Sequence, residues 1–235
     1  GYDDLYTEIK KVSQATNKCG AAGACEQDEC GVLCGPGKYT CCDGTQFCNP
    51  YDCRRSKPVS VCIALDESGS VCGGDLPGCP NWNVHTKGFA RKLIQGLDGV
   101  SDAKFAVVSF ARNATLDQDL SDATDALQTV DNLEYRGGWT NTQGAIKKCR
   151  RELEKAPDGD LTYLVLVSDG YPTVDHLNNV GHSCDTCKNE AISEANHAKG
   201  EGIEIITVGV KTSLFDEEFL LNLASSADLY FPVTE

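Results

Sequence analysis

From residue 59 onward, short apolar runs take turns with segments whose apolar residues recur every three or four positions. Residues 59–65, 105–110, 161–167 and 203–210 read as strands, the first and third as continuous apolar runs. Residues 115–120 form a weaker strand, and 229–233 a last one. Between them, residues 83–97 place Phe89, Leu93, Ile94 and Leu97 on one helical face. Residues 123–133, 141–155, 190–199 and 217–224 are likewise predicted helices. Strands that alternate with helices imply a mostly parallel sheet covered on both faces. Only Arg112-Asn113 and their neighbours separate Val108 from Leu116, which fits a hairpin and so one antiparallel edge strand. The expected fold is therefore α/β and doubly wound.

The first quarter of the chain follows a different pattern. Leu5, Ile9 and Val12 recur at helical spacing within residues 1–18, with acidic side chains early and lysines late, which predicts a short helix. Residues 19–57 are rich in glycine and poor in aliphatic side chains, so crosslinks must replace a core there. Eight cysteines supply them: Cys19, Cys25, Cys30, Cys34, Cys41, Cys42, Cys48 and Cys53. Six more, Cys62, Cys72, Cys79, Cys149, Cys184 and Cys187, lie in residues 58–235. Both subsets are even, so each part can pair internally. All 14 are read as disulfide cysteines, which places the chain in an oxidising compartment, secreted or at the cell surface. The sequon Asn113-Ala114-Thr115 falls at the predicted hairpin turn and is a candidate N-glycan acceptor.

Charge divides the chain at the same place. Residues 1–58 carry 7 basic and 8 acidic side chains, net −1, whereas 59–235 carry 14 and 27, net −13. An acidic surface repels phosphate, which excludes non-specific nucleic-acid binding and disfavours anionic lipid. No apolar run is long enough to span a bilayer. The chain opens without a charged-then-apolar leader, so any secretion signal is expected to have been removed.

In open parallel sheets, ligands sit beyond the carboxyl ends of the strands, where the strand order reverses. Asp66-Glu67-Ser68-Gly69-Ser70 follows the first strand, and Ser168-Asp169-Gly170 follows the run 161–167. Gly138-Trp139-Thr140-Asn141-Thr142 precedes a helix between them. Asp66, Ser68 and Ser70 alternate, so their side chains converge in an extended loop. A few carboxylates with neutral hydroxyls suit a small hard cation, Mg²⁺ first, with Mn²⁺ or Ca²⁺ as alternatives. Two neighbouring carboxylates repel, and a divalent ion relieves that repulsion. No histidine is placed to activate Ser68 or Ser70, and no G-x-S-x-G elbow or phosphate-cradling loop occurs, so an enzyme is not expected.

These motifs resemble the von Willebrand factor type A domain. The D-x-S-x-S element stands as Asp66, Ser68 and Ser70, the later threonine as Thr140, and the later aspartate as Asp169. The likeness implies a sheet ordered 3-2-1-4-5-6 and a metal-ion-dependent adhesion site formed by those five residues. It further implies a vacant coordination position for an acidic side chain, from a protein partner or in self-assembly. Extracellular adhesion or matrix function is the reading, with a structural subunit of a filament, coat or matrix as the alternative. Glu67, Trp139 and Tyr171 are candidates for the ligand rim. The loop 171–189 looks expanded, and a Cys72–Cys79 bond would stiffen the site's edge. His176, His182, Cys184 and Cys187 have zinc-ligand chemistry, but disulfides explain the two cysteines better. The cysteine-rich module resembles knottin-like and hevein-like modules; it is read as a spacer, with glycan binding as an alternative.

Overall fold

The computed structural model describes residues 39–40, 46–47, 58–72, 79–98, 103–181 and 184–233. The helix expected within 1–18 and the pairing of the first eight cysteines lie outside these residues. Within the cysteine-rich segment a minimal hairpin is described: β1 (Tyr39–Thr40) pairs antiparallel with β2 (Gln46–Phe47).

The larger part runs β3 (Val59–Asp66), α1 (Lys87–Leu97), β4 (Lys104–Phe110), β5 (Ala114–Ser121), α2 (Ala123–Asn132), α3 (Thr142–Leu153), β6 (Leu161–Ser168), α4 (Asp185–Gly200), β7 (Glu204–Val210), α5 (Glu217–Leu223) and β8 (Tyr230–Val233). The strands form one sheet in the order β5-β4-β3-β6-β7-β8. Counted from β3 this is 3-2-1-4-5-6, as the sequence motifs imply. Only β5 runs antiparallel, paired with β4 through an irregular register. The order reverses at β3, whose neighbours are β4 and β6.

β3 is mostly apolar because both its faces are covered, and all eight residues, Ser60 and Asp66 included, are buried. Val61, Ile63 and Leu65 pack with Phe89, Leu93, Ile94 and Leu97 of α1 and with Val130 of α2. Cys62 and Ala64 face the opposite layer, with Ile146 of α3, Ala191 and Ala195 of α4, and Leu220 of α5. Each fully buried aliphatic side chain contributes about 1.5–3 kcal/mol relative to exposure, so these layers dominate the stability.

The helix expected over 83–97 departs from a regular α-helix in its first part. Asn81–Thr86 forms a π-type turn, and the α-helix begins at Lys87. The wider turn accompanies an indole sunk into the core, Trp82 being only 1% exposed. α4 starts at Asp185, five positions before the expected 190. Its first turn therefore occupies part of the loop that the sequence reading assigned to 171–189. Periodicity hid this turn because α4 buries mainly alanines, Ala191, Ala195 and Ala198. β8 carries Pro232 yet still pairs with β7, which is tolerated because β8 lies at the sheet edge.

Three disulfides are described: Cys62–Cys149, Cys72–Cys79 and Cys184–Cys187. The first joins the central strand to α3 through two wholly buried cysteines. The last forms within Cys-x-x-Cys at the start of α4, where Cys184 Sγ also accepts the Cys187 amide proton. His176 faces Glu190 instead. Arg150, buried on α3, is held by Glu194, Glu154 and Glu201, which fastens α3 to α4.

Replacing Cys62 and Cys149 together by alanine is expected to lower the unfolding free energy by about 2–5 kcal/mol in denaturant titration. The same change at Cys184 and Cys187 should cost less. Crosslinks spanning 87 and 3 positions differ by about 3 kcal/mol in chain entropy. Equal losses from the two pairs would contradict this account of what the long crosslink does.

Candidate metal centre

β3 and β6 lie side by side and parallel, so the segments leaving their carboxyl ends start together. Asp66 ends β3, and Asp169 is the first residue beyond β6. Both side chains are fully buried. The two carboxylates are close enough that the charge of Asp169 raises the pKa of Asp66. Burial is the larger cause, and together they push Asp66 up to about 7. Asp169 is also raised by burial, opposed by hydroxyl hydrogen bonds from Ser70 and Thr212.

The lining consists of oxygen and backbone N–H donors. Ser68 N donates to Asp66 Oδ1 at 2.9 Å, and Ser168 Oγ donates to Asp66 Oδ2 at 2.6 Å. The hydroxyls of Ser68 and Ser70 are 3.1 Å apart. Thr212 Oγ1 donates to Asp169 Oδ2 at 3.1 Å, and Tyr171 N to Asp169 Oδ1 at 3.3 Å. Asp66, Ser68, Ser70 and Asp169 thus share one cluster.

Thr140 is tied to this cluster by backbone bonds. Gly69 N donates to Gly138 O at 2.8 Å, and Gly137 N to Glu67 O at 3.0 Å. Gly137 and Gly138 take positive φ of 70° and 94°, the backbone region that glycine enters without penalty. On the other side of the loop, Thr140 N donates to Thr173 Oγ1 at 2.7 Å, while Thr173 N and Val174 N donate back to Thr140 O. Asn141 then caps α3 by accepting from Gly144 N at 2.8 Å. A Cβ at Gly144 would stand 2.7 Å from that capping oxygen, so a larger residue there would require the Asn141 side chain to shift.

The donor set passes a test of chemical fit for a hard divalent ion. It offers two buried carboxylates, both raised in pKa by desolvation and Asp66 also by the charge of Asp169, beside neutral hydroxyls. Among the described residues no group of three or more His, Cys, Asp or Glu gathers, so the softer zinc-type donor sets have no counterpart there.

The von Willebrand factor type A domain profile matches residues 60–235. The chain belongs to this family.

Its A domain resembles several solved ones in fold. The vWF domain of the type V pili tip protein Mfa5 from Porphyromonas gingivalis aligns at TM-score 0.59 and 17% identity, covering 76% of this chain and 90% of that one. Proximal thread matrix protein 1 from the mussel byssus aligns at TM-score 0.59 and 24% identity, covering 76% of this chain and 42% of that one. In sequence, inter-alpha-trypsin inhibitor heavy chain H4 from Bos taurus is 29% identical over 134 residues, 52% of this chain. The matched part spans 13% of the bovine protein.

The rim of the A domain differs from the sequence expectation at Glu67. This side chain is buried, and Arg136 Nε lies 2.6 Å from its Oε1. Burial still pushes the Glu67 carboxyl up to about 7, against the pull of Arg136. Glu67 therefore braces the loop from below and is not part of the rim. The reason is tertiary: Arg136, in the loop before Thr140, supplies a cation that inspection of residues 66–70 alone cannot reveal. Trp139 and Tyr171 are both partly exposed. Asn113 is exposed at the β4–β5 turn, as a glycan acceptor requires.

Ser168, Thr173, Thr212 and Arg136 were not among the expected site residues. Thr212 lies two positions beyond β7, so applying the strand-end rule to every parallel strand would have found it. Gly170 supplies the last constraint. It has φ 78°, and a Cβ there would lie 2.7 Å from Asp216 O and 2.8 Å from Leu220. Gly170→Ala is expected to cost on the order of 2 kcal/mol through backbone strain and overlap. The measurement is thermal or denaturant unfolding; a variant as stable as the parent would show that this turn is not strained.

Proposed function

We propose that this chain is an extracellular, non-enzymatic adhesion or matrix protein whose A domain binds a protein partner through a divalent cation. The observation that carries the reading is the buried pair Asp66 and Asp169: burial raises both carboxyls, and the charge of Asp169 raises Asp66 further. Water does not reach these groups, so their charge calls for a compensating cation.

Asp66, Ser68, Ser70, Thr140 and Asp169 would hold that ion, Mg²⁺ first, with Mn²⁺ or Ca²⁺ as alternatives. When bound, it supplies net positive charge and a vacant position that accepts an acidic side chain. The chain's own residues set the terms. Ser168 and Thr212 hold the two carboxylates in place, while Ser68 and Ser70 contribute donors without adding negative charge. Trp139 and Tyr171 border the site as rim candidates.

A second reading is assembly, with the A domain joining copies or partners into a filament, coat or matrix. It is supported by the shared fold of a pilus tip protein and a byssal thread matrix protein. In either reading, the cysteine-rich module is a spacer or accessory contact.

Saturating Mg²⁺, at about 100 times its Kd, should stabilise the protein by about 2.7 kcal/mol. For a domain this size, the corresponding rise in Tm is about 5–10 °C. Asp66→Ala should abolish the rise while leaving the far-UV circular dichroism unchanged. No shift with Mg²⁺, Mn²⁺ or Ca²⁺ in the parent protein would reject the cation-dependent reading.

A further inference from the structure

A second concavity, of about 250 Å³, lies between the β4–β5 turn, α3 and the loop after β6. The cations Lys147, Lys148 and Arg151 of α3 line one wall. They sit at i, i+1 and i+4, within about 6 Å of helix rise. On a segment of net charge −13 such a cluster is unusual, and its neighbours show why it matters. Arg150 is enclosed by Glu194, Glu154 and Glu201, and Lys155 pairs with Glu152 and Asp119. Among the described residues no carboxylate forms an ion pair with Lys147, Lys148 or Arg151.

The acidic and imidazole groups on the opposite wall are already engaged. The Asp175 carboxylate accepts from Leu177 N, Asn179 N and Asn179 Nδ2. His176 is paired with Glu190. The remaining lining is amide-rich, with Asn113, Gln143 and Asn178. Asn178 holds φ 65°, the one left-handed non-glycine among the described residues. Amide side chains present a donor and an acceptor each, which matches sugar hydroxyls.

We propose that this groove is a binding subsite for an acidic saccharide, with Lys147, Lys148 and Arg151 pairing its sulfate or carboxylate groups. The groove is smaller than the ~300–1,000 Å³ of a drug-sized pocket, so it takes one or two units of a longer sugar chain. The subsite works without the cation centre and does not depend on the reading of Asp66 and Asp169. Asn113 stands at its mouth, so an N-glycan there would cover the entrance.

The test is calorimetric titration of the full chain, treated with glycosidase and kept in EDTA. The probes are a heparin-derived tetrasaccharide, the same tetrasaccharide without sulfate, and a tetraglutamate peptide. The sulfated sugar should bind in EDTA and more tightly than the other two. Lys147→Gln/Lys148→Gln/Arg151→Gln should weaken it at least tenfold. Lys148→Glu alone, at an exposed position that cannot unfold the domain, should weaken it severalfold. Equal binding of the desulfated sugar, tighter binding of the peptide, loss of binding in EDTA, or indifference to both variants would each overturn the proposal.

Discussion

Two carboxylates held side by side out of water set the terms for the rest of this molecule. Asp66 and Asp169 meet because β3 and β6 are adjacent and parallel, and they stay because surrounding donors hold them. A buried pair of like charges is costly wherever it occurs. Here the cost is offset locally by hydroxyls and amides from four strand ends and loops. The adjoining loop is braced in turn by Glu67 and Arg136, and by mutual backbone bonds between the Glu67–Gly69 and Gly137–Gly138 segments. The geometry is thus a property of the whole carboxyl edge of the sheet, and no single loop accounts for it.

α3 connects this edge to the remainder of the fold. Its cap, Asn141, follows Thr140 directly; its centre is stapled to β3 through Cys149; and Arg150 fastens it to α4. The side of the same helix carries Lys147, Lys148 and Arg151, which form no ion pair among the described residues. One helix therefore presents an acidic, oxygen-lined site at its start and a basic surface along its side. The internal bonds keep these two regions at a fixed separation.

Much of this was legible in the sequence, and the physical reasons are plain. β3 and β6 read as strands because both their faces are covered, which leaves runs that are apolar on successive positions, Ser60 and Thr162 apart. Helices α2 and α3 read clearly because an apolar stripe alternates with charge and a side-chain cap marks the start. The strand-end rule found Asp66 and Asp169 before any likeness was invoked. What stayed hidden depends on contacts between distant segments. The π-type turn at Asn81–Thr86 accompanies burial of Trp82, and the first turn of α4 carries little periodic signal in an alanine-rich face. Glu67 looked like rim because its cation belongs to another loop. Ser168 and Thr212 stand at the ends of parallel strands too, but which carboxylate each hydroxyl bonds depends on the packing of those strand ends.

The two borders of the sheet bear on how such molecules meet. At one, β8 is four residues long and carries Pro232, which removes a donor from any further ladder. At the other, β5 carries Asp117 and Asp119, whose charges repel the same strand of an approaching copy. A proline on one flank and carboxylates on the other both disfavour edge-to-edge pairing of these sheets. Polymers built from this unit would therefore have to be joined through loops, helix faces or the cysteine-rich segment, with each domain keeping its own hydrogen-bonded boundary.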